Sequence, residues 1–102
     1  MAKIAVTTPY YVTICVLFEK PVALDADSRQ PSMLHGYYRH FGLSAANRDE
    51  AQILVETEVQ EGAIQWDDCQ WEDIENLTPD IRQKIPPYSE PGVWHRSGSM
   101  FF

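Results

Sequence analysis

Tyr10 to Phe18 (YYVTICVLF) carries no charged side chain and is rich in β-branched and aromatic residues, and this run constrains the fold more than any other. Strand alternation puts Val12, Ile14, Val16 and Phe18 on one face and Tyr11, Thr13, Cys15 and Leu17 on the other. The first face is uniformly apolar and the second mostly so. Such a strand belongs in the middle of a sheet, with a helix over one side.

Residues 36–43 (GYYRHFGL) place aromatics on both faces and a glycine near each end, which favours a second strand paired antiparallel with the first. Between them, residues 19–34 contain Pro21, Asp25, Asp27, Ser28 and Pro31. They read as a long loop with at most a short extended piece at Val22–Leu24, and long loops in compact domains are often functional.

The covering helix is expected over residues 47–61. Asn47 is a good N-cap, and Glu50 three positions on completes an Asn variant of the capping box. Ala51, Leu54, Val55 and Val59 form a narrow apolar stripe suited to packing on a sheet, with Ile53 off it. Gly62 stands where a helix-terminating residue belongs. Asp49 and Glu50 favour the helix dipole, whereas Glu58 and Glu61 oppose it.

In residues 63–74 (AIQWDDCQWEDI), Ile64 and Trp66 share one alternation phase and Cys69 and Trp71 the opposite one, so a bulge or turn is expected at Asp67-Asp68. Thr78-Pro79 opens a short helix near 79–85 with Ile81 and Ile85 inward, and Pro86-Pro87 stops it. Val93–Ser97 is a last strand. The chain then closes on Met100-Phe101-Phe102, which implies either a strand docked on the core or a chain that continues further.

This order of elements predicts an α+β fold. The sheet is mainly antiparallel with four to five strands, the main helix packs on one face, and the short helix lies near 79–85. With 102 residues, 44% of them apolar, the chain suits a single domain spanning 1–102. A domain of this size hides roughly two-thirds of its unfolded surface, so no metal or disulfide staple is required. Cys15 and Cys69 both sit in strand-like apolar context and read as reduced, buried thiols. The N-terminal apolar stretch is interrupted by Pro9, followed at once by Glu19-Lys20, and lacks a small-residue cleavage site, so it does not read as a secretory signal. Nor is it long enough to span a bilayer as a helix. The expected compartment is the cytoplasm.

Charge is unevenly placed. Residues 49–80 hold eleven acidic side chains and neither Lys nor Arg, while the remainder has eight basic and four acidic residues, a sum of +4. The total of −7 argues against nucleic acid as a partner, because phosphate contacts supply most non-specific affinity. It argues against it even though Tyr37, Tyr38, Arg39, His40 and Phe41 form an aromatic-basic stretch.

No motif for a catalytic nucleophile, a phosphate loop or a cofactor is present. His35, His40, His95 and Cys69 have no zinc-ligand spacing. The reading that remains is a small, acidic, non-enzymatic binding protein that engages a basic protein. One concrete form is an inhibitor or immunity-type protein of a cationic enzyme such as a nuclease. Carboxylates would steer the encounter and a buried aromatic would prolong it. The candidate contacts are Glu58, Glu61, Asp67, Asp68, Trp71, Glu72 and Asp73. Two other classes stand beside it. One is a small metal-dependent hydrolase using the Asp67–Glu75 carboxylates, since hard cations want several converging oxygens. The other is a self-associating module that forms a homodimer through an edge strand or the Phe-rich C-terminus.

Overall fold

The computed structural model describes residues 6–23, 33–60, 63–87 and 90–102. Its frame is an antiparallel hairpin of two long strands, β1 (Thr8–Ala23) and β2 (Met33–Ala45), in register from Thr8↔Ala45 to Leu17↔Gly36. Each central strand carries two short strands end to end on its outer side. Along β1 lie β3 (Ala63–Ile64) opposite Leu17 and Val16, and β4 (Gln70–Glu72) opposite Thr13 to Tyr11. Along β2 lie β5 (Gly92–Arg96) opposite Phe41 to Ser44, and β6 (Met100–Phe101) opposite Tyr38 and Tyr37. All pairings are antiparallel. The result is an α+β fold with six strands among the described residues, one or two more than the alternation patterns suggested. The addition is β6, in the terminal Met100-Phe101-Phe102 stretch.

The first strand divides as its alternation requires. Val12, Ile14 and Val16 on one face are fully buried with Phe41, Leu43 and Ala45 from β2, beneath Ala51, Val55 and Val59 of the helix. Each large apolar side chain sealed here contributes roughly 1.5–3 kcal/mol. The helix α1 spans Arg48–Glu58. Asn47 Oδ1 accepts from the Glu50 N–H at 2.9 Å, and Glu50 Oε2 accepts in return from the Ala46 N–H at 3.2 Å. The reciprocal cap is therefore present, displaced by one residue at its return bond. Ile53, off the stripe, is 59% exposed.

The helix ends at Glu58, before the expected residue 61. Val59 turns to extended backbone and buries its side chain in the core, and no basic residue in the last turn offsets the dipole. Gly62, expected as the terminating residue, lies outside the described residues, as does Leu24 of the expected extended piece. That extended piece belongs to a longer element: β1 runs to Ala23 through a bulge between Leu17 and Val22. An eleven-residue helix covers about 16 Å, whereas sixteen strand residues reach about 53 Å. The hairpin therefore projects past its cover, and the molecule measures 64 × 29 × 21 Å.

The phase break at Asp67-Asp68 is a 3-10 turn, Trp66–Asp68, which steps the chain out between β3 and β4. A second 3-10 turn, Ile74–Asn76, leads to α2 (Pro79–Arg82), with Thr78 as cap and Pro79 first in the helix. This short helix ends before the expected residue 85. Cys15 is buried and Cys69 half-buried, both as free thiols. Among the described residues no helix is long and apolar enough to cross a membrane.

Candidate functional site

The segment from Asp67 to Glu75 wraps the outer side of β1 and forms one long edge of the sheet. Pairing of β4 with β1 fixes the directions of its side chains. Trp71 lies opposite Val12 and turns to the helix-covered face, while Gln70 and Glu72 lie opposite Thr13 and Tyr11 and turn to the other. Asp67 and Asp68 occupy the first 3-10 turn, Asp73 precedes the second and Glu75 sits within it. All five acids of this edge, Asp67, Asp68, Glu72, Asp73 and Glu75, are exposed. Local chemistry accounts for this: the turns leave their side chains pointing outward, and a buried carboxylate without a partner costs several kcal/mol. A shallow open cleft of about 350 Å³ runs between Thr13, Gln70, Trp71, Glu72, Asp73 and Asn76.

Trp71 is built into the fold. Its indole stacks on Trp66, with ring centres 6.4 Å apart and planes 19° apart. Tyr10 meets it edge-on at 5.8 Å, and the Arg48 guanidinium lies 4.3 Å from its centroid. Trp66 donates from Nε1 to Glu56 Oε1 at 3.0 Å. The two tryptophans therefore clamp the 67–73 edge to one flank of α1, the flank bearing Arg48 and Glu56. Trp71 borders the cleft but is spent largely on holding its neighbours in place.

Glu58 lies elsewhere. It is on the flank of α1 that faces β5, where Arg96 donates to its carboxylate twice, at 2.8 and 2.6 Å. This is the one side-chain ion pair among the described residues. The Arg96 hydrogen bond, with the Arg96 and Arg39 charges behind it, holds the Glu58 carboxyl below its ordinary range. The structure thus brings Asp67, Asp68, Trp71, Glu72 and Asp73 together on one edge and places Glu58 toward the opposite one. Glu61 lies outside the described residues. Charge counting along the chain could not separate Glu58 from the rest, because its partner is 38 residues away.

Among the described residues no three His, Cys, Asp or Glu come together in a way that could hold a metal ion. His35 is exposed on one side of β2 and His40 half-buried on the other. The aromatic-basic stretch is likewise divided: Tyr37, Arg39 and Phe41 share the helix side, and Tyr38 and His40 the other. Both thiols are pushed up by burial, the main cause in each case, which keeps them protonated and weak as nucleophiles.

One arrangement on the open face carries no sequence signal. Tyr11, Gly42 and His95 lie in one row across β1, β2 and β5. The Tyr11 ring stacks against His95 at 5.7 Å and against His40 at 5.9 Å. Thr13 Oγ1 and His40 Nδ1 are hydrogen-bonded at 2.6 Å. Beside them Trp94, the extra residue of a bulge between Gly42 and Leu43, lays its indole over Gly42 and donates to Ser44 Oγ at 3.2 Å. Compared with family models, with curated proteins and with solved structures, the chain matches none.

Proposed function

We propose that this chain is a small non-enzymatic binding protein whose acidic edge takes a basic protein, in the manner of an inhibitor or immunity-type protein of a cationic enzyme such as a nuclease. The observation that carries this reading is the contrast between two kinds of acid. Asp67, Asp68, Glu72 and Asp73 stand exposed along one edge with no ion pair among the described residues, while Glu58 is neutralised internally by Arg96. Exposed like charges on one edge raise the local negative potential, which accelerates encounter with a cationic surface and penalises an anionic one. The Trp66–Trp71 clamp supports the reading by fixing the edge before a partner arrives, so little ordering entropy is lost on binding. Asp67, Asp68, Glu72 and Asp73 are the contacts, Glu75 extends them, and Trp71 borders the cleft between them.

The test is affinity capture from the source cell at low salt, followed by a high-salt wash and mass spectrometry. The same capture is then repeated with Asp67, Asp68, Glu72 and Asp73 all changed to Lys. Retention of a basic protein that is lost at high salt and lost with the reversed edge supports the reading. Capture that is unchanged by charge reversal removes it. Glu58→Gln serves as the control and leaves capture intact, because that carboxylate already has its cation.

A further inference from the structure

The hairpin end that projects past α1 is where apolar surface is left uncovered. Of the nine large apolar side chains exposed among the described residues, seven lie in residues 17–23 of β1, 33–38 of β2 or 100–102. The two sides of this end differ. On the helix side Phe18, Tyr37 and Phe101 pack on one another, with ring centres 5.7–6.4 Å apart. On the open side, Leu17 lies opposite Gly36, Met100 lies opposite Tyr38, and the Phe102 ring meets Tyr38 at 5.1 Å. Leu17, Tyr38, Met100 and Phe102 thus form one patch, and each is 37–47% exposed.

The size of the patch suits a partner. At about 200 Å² per side chain these four leave roughly 330 Å² of apolar surface open, within the range of patches that are often functional. Two such faces in contact would seal about 650 Å². In an interface about 60% apolar that amounts to roughly 1,100 Å², above the ~1,000 Å² that a specific contact requires.

Charge points to a second copy as that partner. The described part of this end carries one acid and one base, Glu19 and Lys20, whereas the eleven acids of residues 49–80 belong to other elements. Two copies of a chain of net charge −7 can therefore meet here without setting acid against acid. The end is also its own complement: Glu19 of one copy attracts Lys20 of the other and the reverse, as a two-fold contact requires. The outer edge of β1 beyond Leu17 is a poorer route, although no strand among the described residues pairs with it. A bulge between Leu17 and Val22, the missing N–H of Pro21 and the exposed Glu19-Lys20 pair all oppose strand addition. The open face carries none of these obstacles.

We propose that the chain forms a two-fold homodimer by packing the open faces of two projecting hairpin ends, with Leu17, Tyr38, Met100 and Phe102 at the centre of the contact. It uses none of the acidic contacts proposed above and stands apart from that reading.

The experiment is sedimentation equilibrium of the whole chain from micromolar to millimolar concentration, at low and high salt. Native protein is compared with Leu17→Glu, Met100→Glu and, as control, Ile53→Glu on the outer face of α1. Isotope-filtered NOE spectra of mixed labelled and unlabelled native chains locate the contact. The expected result is a native species of twice the chain mass that persists at high salt, because the contact is apolar. Leu17→Glu and Met100→Glu each set two new carboxylates against each other and weaken association at least tenfold, while Ile53→Glu leaves it unchanged. Intermolecular NOEs fall on Tyr38, Met100 and Phe102. A native chain that stays monomeric throughout, a dimer lost at high salt, or association untouched by both patch variants overturns the proposal. So do NOEs confined to the acidic edge, the outer edge of β1 or the helix side. Should the patch variants fail to fold, the mass, its salt response and the NOEs decide it on the native chain alone.

Discussion

Replacing Gly42 with Ala adds one methyl group, and the structure says where it goes. A Cβ built on Gly42 falls 2.3 Å from Trp94 Cζ3, 2.5 Å from Cη2 and 2.8 Å from Cε3. Relaxed carbon–carbon contacts need about 3.5–4.0 Å, so the indole must retreat by about 1 Å or more. It cannot do so freely, because Nε1 is bonded to Ser44 Oγ and Ser44 is only 1% exposed. Overpacking of this kind costs about 1–3 kcal/mol, and breaking the Ser44 bond adds about 0.5–1.5 kcal/mol.

Against this, Gly→Ala restricts the unfolded chain and returns about 0.4–1 kcal/mol where the backbone is compatible. Gly42 does not occupy the positive-φ region, so that gain applies in full. The net expectation is a destabilisation of about 1–3 kcal/mol, or a fall in Tm of roughly 4–8 °C per kcal/mol. Urea unfolding followed by far-ultraviolet circular dichroism measures it without depending on the tryptophan signal. The decisive comparison is the same substitution in a Trp94→Ala background, where the obstacle is gone. There Gly42→Ala is neutral or stabilising, and the double-mutant coupling exceeds ~1 kcal/mol. If the two changes simply add to within ~0.5 kcal/mol, the steric account is refuted.

Three further outcomes follow from the same structure. Asn47→Ala removes the acceptor for the Glu50 N–H and lowers stability by about 1 kcal/mol in urea unfolding, whereas Asn47→Ser leaves it nearly unchanged. Phe41→Ala empties a fully buried position under α1 and costs roughly 3–5 kcal/mol, enough to broaden or abolish the thermal transition in calorimetry. Glu58→Gln at neutral pH costs less than ~1 kcal/mol, because Arg96 is 48% exposed and solvent screens the pair. Since the Glu58 carboxyl is held below its ordinary value, its contribution is present above the unfolded-state value and is lost as pH falls through the folded one. Denaturation midpoints of the native and Glu58→Gln proteins therefore converge in acid.

Much of the architecture is legible along the chain because it depends on short repeats. Alternation from Tyr10 to Phe18 already separates the faces that later bury Val12, Ile14 and Val16 under the helix and turn Tyr11 and Cys15 away from it. Asn47 and Glu50 mark the helix start, Ala51, Val55 and Val59 its inner stripe, and the phase break at Asp67-Asp68 the turn between β3 and β4. These are local rules of spacing, and a side chain obeys them whatever its distant neighbours are. Segregation of charge into residues 49–80 is likewise a property of the sequence itself.

Membership of the acidic edge is another matter. Glu58 carries the same charge as Asp67 and Asp68, yet it lies on the flank of α1 that faces β5, where Arg96 neutralises it. Trp71 looks like a free anchor until Trp66, Tyr10 and Arg48 are found packed around it. The meeting of Tyr11 with His40 and His95, and the fit of Trp94 over Gly42, bring together residues tens of positions apart. Those contacts depend on strand order, register and a single bulge. Spacing within one segment carries no information about which segment lies beside it, so only the assembled sheet decides which charges remain free and which rings touch.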